Sequence, residues 1–181
     1  MPLLLKDATK FALRQKRQRS EDNKGSDVYP VRINDESYGF QLVPFDSVDV
    51  QVAVEPLTFS DREGMRVVYL IITEDIYNEL LKVETGCSEL LAEKRPGAIW
   101  QSALRPPSDK YRATLKVKFY QNVQIYDEKH EKIEAPKFWR NAFVTPILNI
   151  KVWVNENGAG LCFNLAAVKI SKPKPRTYSF V

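Results

Sequence analysis

The chain has 181 residues, 44% of them hydrophobic and 28% charged, and a formal net charge of +4. This composition suffices to bury the core of one domain and differs from that of disordered chains. No apolar run reaches the roughly 18 residues of a membrane-spanning helix, and the first residues lack the apolar region of a secretory signal. We therefore expect a soluble domain inside the cell, cytoplasmic or nuclear, with no membrane partner.

Basic residues are concentrated at the two ends of the chain. Residues 1–20 carry a net charge of +5 and residues 169–181 carry +4, which leaves the rest at −5. A short basic helix over Thr9–Ser20, followed by a polar linker, predicts an arm over residues 1–27 that is separate from the domain. Residues 171–181 form a basic tail. Charge asymmetry of this kind is typical of polyanion contact, or of arms that pack on a neighbouring subunit in a homo-oligomer.

The first half of the body predicts two strands and a helix. Alternating valines indicate a half-buried strand from Val48 to Val54, and the apolar stretch Val67–Ile72 indicates a more deeply buried partner in a hairpin. Thr73 is a suitable N-cap for a helix over residues 74–95, because apolar positions follow it at helical spacing.

Residues 111–126 alternate between two kinds of side chain. The predicted inward set is Tyr111, Ala113, Leu115, Val117, Phe119, Val123 and Ile125. The predicted outward set is Arg112, Thr114, Lys116, Lys118, Tyr120, Asn122, Gln124 and Tyr126. A period of two is that of a strand, and the length of the run predicts a bend within it.

The last predicted element is a hairpin. Alternation over Leu148–Val154 places Asn149, Lys151 and Trp153 outward, and Asn155–Gly158 indicates the turn into a strand over residues 161–170. The order strands, helix, strands predicts a β-rich α+β domain over residues 28–170.

The residue types of common active sites are scarce. His130 is the only histidine of the chain and lies between charged residues in a polar turn, where a solvated role is expected. One histidine excludes most zinc sites, and no glycine-rich phosphate loop occurs. Cys87 and Cys162 are far apart, so we expect two free cysteines in the core. We predict a binding protein without a cofactor, not an enzyme.

Carboxylate pairs leave a nuclease open as the enzyme alternative. Asp46 with Asp49, or Glu131 with Glu134 and nearby Lys137, could hold magnesium. Acidic residues at this density are also typical of a solvated surface.

The outward strand faces combine cations with aromatic rings. Cations follow a phosphate chain, and aromatic faces stack on unpaired bases with about 1–3 kcal/mol each. Solvated strands carry the same residue types, so both interpretations stay open. The candidate nucleic-acid-binding residues are Arg105, Arg112, Lys116, Lys118, Tyr120, Tyr126, Trp139, Lys151 and Trp153.

The succession of a strand pair, a helix and long closing strands, with the glycine-started strand Asn157–Ile170, resembles OB-fold single-stranded DNA-binding proteins of the divergent viral and phage type. The resemblance implies an OB-fold-like antiparallel barrel with one main helix and basic terminal arms. It also implies binding of single-stranded nucleic acid, most readily DNA in replication or recombination. Many such proteins end in an acidic tail that recruits partners, whereas residues 171–181 are basic, so recruitment is not implied here.

A structural protein is the alternative from another class. In a viral coat or nucleocapsid subunit, a basic arm neutralises packaged nucleic acid beneath a β-sandwich, and Arg14–Arg19 would suit that role.

Overall fold

The computed structural model describes residues 3–18, 26–35, 39–53, 57–58, 65–120, 123–133 and 141–171. These residues form short and long strands, the helix α1 (Glu74–Lys94) and a 3-10 turn over Leu5–Asp7. None of the helices in this part of the chain is both long and apolar enough to span a membrane.

The strands of the first half are β1 (Leu3–Leu4), β2 (Phe11–Leu13), β3 (Arg17–Gln18), β4 (Asp27–Ile33), β5 (Gly39–Gln41), β6 (Gln51–Val52), β7 (Leu57–Thr58) and β8 (Arg66–Ile71). Those of the second half are β9 (Trp100–Gln101), β10 (Leu104–Arg105), β11 (Thr114–Phe119), β12 (Gln124–Tyr126), β13 (Lys132–Ile133), β14 (Phe143–Asn155) and β15 (Gly158–Ser171).

Five strands close into a barrel in the order β14, β6, β8, β11, β15 and back to β14. Four of the five contacts are antiparallel. The contact between β11 and β15 is parallel, with Lys118 opposite Asn164, so the barrel is not antiparallel throughout. A small closed barrel removes exposed sheet edges and is the core of an OB-fold. The predicted β-rich α+β fold with an OB-fold-like barrel is confirmed.

The predicted alternation of inward and outward side chains is confirmed in β11 and β14. Leu115 and Val117 have no exposed surface, and Leu148 and Val152 are equally buried. The prediction for Tyr111 is wrong, because its side chain is 62% exposed where the alternation predicted burial. It precedes β11 in a loop, where the strand period does not apply. The predicted bend is present as the break between β11 and β12.

The helix begins and ends where its capping and periodicity predicted. The Thr73 hydroxyl oxygen accepts a hydrogen bond from the Ile76 backbone N–H at 3.3 Å, which satisfies one of the free donors of the first turn. Its buried side chains include Leu80, Val83 and Leu91, and they belong to the same core as those of the barrel. The apolar stripe therefore fixes α1 against the barrel.

The prediction for Val48–Val54 is partly wrong. Val50 and Val52 are fully buried and β6 pairs with β8 as expected, but Val48 is 50% exposed. The regular strand begins only at Gln51, because the preceding residues form a loop. Val54 lies outside the described residues.

The prediction of a basic helix over Thr9–Ser20 is wrong for the described residues of that segment. β2 pairs with β4 instead, and Leu5 is 3% exposed within the core. A short isolated helix is marginal in water, whereas a strand gains hydrogen bonds from β4 and burial for its apolar residues. Residues 3–18 thus pack on the domain and do not form a free arm. Residues 19–25 and the tail over 172–181 lie outside the described part.

The burial of Leu5 predicts the effect of a substitution. Leu5→Ala should lower the free energy of unfolding by about 2–4 kcal/mol, because it leaves a cavity in the core. Urea unfolding followed by circular dichroism measures this difference. The matched control is Lys6→Ala, whose exposed side chain should change stability by less than about 0.5 kcal/mol. Equal stability of the two variants would mean that the N-terminal segment does not contribute to the core.

Candidate nucleic-acid interface

The outward faces of β11, β15 and β14 lie side by side and form a trough. β15 is the middle strand, with Lys118 of β11 opposite Asn164 on one side and Lys151 of β14 opposite Cys162 on the other. From Gly160 to Asn164 its outward side chains are small, while the facing side chains on the two flanking strands, Lys116, Lys118, Lys151 and Trp153, are long. The sequence pattern of small residues at alternate positions of β15 therefore produces a floor between two raised walls.

Two adjoining concavities of about 170 and 240 Å³ occupy this trough. They share Lys118, Trp153 and Cys162 as lining residues. We call the surface lined by the outward side chains of β11, β14 and β15 and by residues 101–103 the central groove. Five predicted site residues border it: Lys116, Lys118, Tyr120, Lys151 and Trp153.

Trp153 is placed by a glycine on the neighbouring strand. Its cross-strand partner is Gly160, where an added Cβ would lie 2.9 Å from the indole Nε1 and 2.6 Å from the carbonyl oxygen of Gln101. The indole and the segment around Gln101 therefore both approach the backbone of β15 more closely than a side chain would allow. This close packing holds the half-buried ring at the border of the two concavities.

The groove has a positive character. Lys116, Lys118 and Lys151 line it, and no acidic side chain does so among the residues described there. The amides and hydroxyls of Gln101, Ser102 and Asn164 supply neutral hydrogen-bonding groups. Sequence reasoning missed these neutral residues, although the outward period of β15 could have identified Asn164.

Tyr69 is a further aromatic side chain that sequence reasoning missed. It lies directly opposite Lys116 on β8 and is 37% exposed. The apolar stretch Val67–Ile72 predicted burial on both faces, but Tyr69 lies on the face that carries Lys116. It extends the combination of cations and rings beyond β11.

The structure places three other candidates away from the concavities. Arg105 lies on β10 with its guanidinium carbon 5.4 Å from the centre of the Tyr111 ring. Arg112 is exposed just before β11. Tyr126 pairs with Lys169 across β12 and β15 and does not line either concavity. Trp139 lies outside the described residues.

Lys169 marks the covered end of this sheet face. Its side chain is 4% exposed, its Nζ lies 2.7 Å from Asp46 Oδ1, and Phe45 places its ring centre 5.4 Å away. His130 is exposed in a turn and contacts the Phe45 ring edge-on at 5.3 Å. Asp46 thus binds a lysine, which weakens the idea that it forms a metal site with Asp49. Glu134 and Lys137 of the second carboxylate set are not described.

The two cysteines have different environments. Cys87 is fully buried in α1, and burial, with a smaller contribution from the charge of Glu84, raises the pKa of its thiol to about 12. Cys162 contradicts the prediction of a core position, because it is half-buried on the outward face of β15 and lines both concavities. Its Sγ lies 3.6 Å from Asn164 Oδ1.

No protein-family model matches the chain, and no curated protein matches its sequence at a significant level. Solved structures of phage proteins are nevertheless similar in fold. One is gp2.5, a single-stranded DNA-binding protein encoded by bacteriophage T7, with a TM-score of 0.58 and 15% identity over 77% of this chain and 94% of that chain.

A second similar structure is the C-terminally truncated single-stranded DNA-binding protein from bacteriophage Enc34. It has a TM-score of 0.55 and 12% identity over 92% of this chain and 98% of its own. The Enc34 protein in complex with single-stranded DNA is similar with a TM-score of 0.53 and 11% identity over 90% and 97% of the two chains. The predicted resemblance in fold to phage single-stranded DNA-binding proteins is confirmed.

Proposed function

We propose that this protein binds single-stranded DNA in the central groove and acts in replication or recombination. The observation that carries the proposal is the convergence of Lys116, Lys118, Lys151, Tyr120 and Trp153 on one trough. The lysines neutralise phosphates, and the rings stack on unpaired bases without reading sequence. The fold similarity to a phage protein in complex with single-stranded DNA supports this assignment.

A duplex fits the surface less well than a single strand. Proteins that read a duplex place a helix or a two-stranded ribbon in the major groove. Here α1 carries five acidic residues besides the buried Glu84, against two lysines, so its surface repels phosphates. The aromatic rings of the groove gain their stacking energy from bases that are not already paired and stacked.

The coat or nucleocapsid alternative loses its main support. It rested on a free basic arm, whereas residues 3–18 pack on the domain and Lys16 places its Nζ 3.7 Å from Asp27 Oδ2. Self-association through the basic ends stays a prediction. We infer binding without catalysis or cofactor, in a reducing intracellular compartment that keeps the thiols of Cys87 and Cys162 free.

The groove predicts a preference for single strands and a strong dependence on salt. The protein should bind oligo(dT) more tightly than a duplex of the same length, and affinity should fall as salt rises because bound phosphates release counterions. Fluorescence anisotropy titrations with both forms at several salt concentrations measure this. Equal affinity for the duplex would reject the stacking mechanism.

Two lysine variants test which part of the surface contacts the phosphates. Lys116→Ala should lower the slope of log affinity against log salt by about one, the change expected for one lost phosphate contact. The control is Lys82→Ala, since that exposed lysine lies on α1 with its Nζ 3.2 Å from Glu79. An unchanged slope for Lys116→Ala would place the phosphates elsewhere.

Stacking predicts the effect of removing single rings. Trp153→Ala and Tyr120→Ala should each weaken oligo(dT) binding by about 1–3 kcal/mol at constant salt, because each removes a stacking surface. The control is Tyr126→Ala, because the Tyr126 ring is outside the two concavities. This change should weaken oligo(dT) binding less than Trp153→Ala does. If Tyr126→Ala weakens binding as much as Trp153→Ala, the DNA path does not follow the central groove.

The two cysteines allow a direct test of where the DNA lies. N-ethylmaleimide should modify Cys162 and spare Cys87 in the folded protein, since the thiolate is the reactive form and Cys87 is buried with a raised pKa. Saturating oligo(dT) should slow modification of Cys162, which mass spectrometry of tryptic peptides quantifies. A modification rate unaffected by oligo(dT) would show that the ligand does not cover the groove floor.

A further inference from the structure

Glu84 is a buried acid that the proposed DNA contacts do not use. It lies in the middle of α1 with 4% of its surface exposed. A buried carboxylate needs hydrogen-bond donors around it, because the loss of water would otherwise be strongly unfavourable. Here burial raises the pKa of Glu84, and the hydrogen bonds that it accepts counteract part of that rise.

Two hydrogen-bond donors to Glu84 come from the connection between β9 and β10. The Ser102 hydroxyl donates to Oε1 at 2.5 Å, and the Ala103 backbone N–H donates to Oε2 at 3.0 Å. Both carboxylate oxygens are thus engaged by consecutive residues of one short connection. A carboxylate suits this task, because it accepts two such bonds at once.

The same connection forms a wall of the central groove. Ser102 and Ala103 line the concavity that also contains Lys116 and Trp153. The Ala103 carbonyl oxygen accepts a hydrogen bond from the Lys116 backbone N–H at 3.0 Å. Glu84 therefore holds this wall from the side of α1. Ala103, to which it is bonded, is in turn hydrogen-bonded to the backbone of Lys116, a predicted phosphate contact.

The ends of the connection are also attached to the barrel by sheet pairing. β9 pairs with β15, where Gln101 lies opposite Gly160, and β10 pairs with β11, where Leu104 lies opposite Leu115. Each of these strands has only two residues. Ser102 and Ala103 lie between these two strands, and they are the residues that Glu84 binds. The carboxylate therefore supports the part of the wall that belongs to neither strand.

We propose that Glu84 is a positioning residue of the nucleic-acid site, which fixes the Ser102–Ala103 wall against α1 and thereby sets the width of the central groove. The inference rests on the proposed function, because it assigns the groove to DNA. Glu84 contacts no nucleotide. It acts through the wall, whose position decides whether a base can enter between the wall and the Trp153 ring.

Two substitutions of Glu84 in the full chain separate positioning from charge. In Glu84→Gln the amide oxygen can accept from Ala103 and the amide nitrogen can donate to the Ser102 oxygen, so oligo(dT) affinity should stay within about twofold of wild type. In Glu84→Met both donors lose their acceptor, and affinity should fall about tenfold. Glu93→Gln and Glu93→Met are the matched controls, since Glu93 is exposed on the same helix and neither change should affect binding.

A double-mutant cycle tests whether Glu84 acts through Ser102. Ser102→Ala should weaken binding. Adding Glu84→Met to that variant should weaken binding further by less than the tenfold loss expected when Glu84→Met is introduced into the wild type. Independent, multiplicative losses would overturn the positioning role. So would a Glu84→Gln variant that binds as weakly as Glu84→Met, because charge and not geometry would then matter.

Hydrogen exchange at the Ala103 amide gives a readout without DNA. Exchange of this amide should be faster in Glu84→Met than in the wild type. In Glu84→Gln it should have the wild-type rate, because the glutamine keeps an acceptor for that N–H. If Glu84→Met fails to fold, the exchange rate of the Ala103 amide can still be compared between Ser102→Ala and Glu84→Gln. Wild-type protein that does not bind oligo(dT) would reject the proposed function, whereas binding that is unaffected in folded Glu84→Met would reject this inference alone.

Discussion

The pairing of β14 with β15 is the contact on which both the barrel and the groove depend. It extends from Phe143 opposite Ser171 to Asn155 opposite Gly158. β14 then pairs with β4, β5 and β6 on its other edge, and β15 pairs with β9, β11 and β12. One long hairpin thus supplies a side of the closed barrel and two of the three strands of the central groove.

A single irregularity in this hairpin divides its outer face into two regions. The register shifts between Ile147 and Leu148, which leaves Ala166 of β15 without a partner in that pairing. Before the shift, Cys162 and Asn164 form the floor of the groove. After it, Lys169 is covered by Asp46 and Phe45, so the face is closed. Bulges commonly change the direction of side chains in this way, and here the bulge separates the open groove from its covered end.

Charge is distributed so that two surfaces of one small domain differ in their response to a polyanion. The groove presents three lysines, whereas the outer surface of α1 is acidic. Clustered charges of this kind attract a polyanion to the positive trough and repel it from the helix. Glu84 is an acid of α1 that faces the wall of the groove, and it does so with both oxygens engaged by donors.

The sequence by itself determined the features that depend on neighbouring residues. Thr73 and the apolar spacing after it gave the bounds of α1. A period of two assigned five side chains to the outward face: Lys116, Lys118, Tyr120, Lys151 and Trp153. These signals are local, because capping and side-chain alternation involve residues a few positions apart. They were enough to identify five residues of the central groove.

Tertiary structure alone decided which strands lie next to one another, and thereby the fate of residues with ambiguous local patterns. Leu5 is buried because β5 and α1 lie beside its segment, and Tyr69 is exposed because the outer face of β8 continues that of Lys116. Cys162 lies in the groove floor because β15 runs between two lysine-bearing strands. Glu84 accepts a hydrogen bond from Ser102, which lies 18 residues further along the chain. Such contacts join residues distant in sequence, and no local period or cap encodes them.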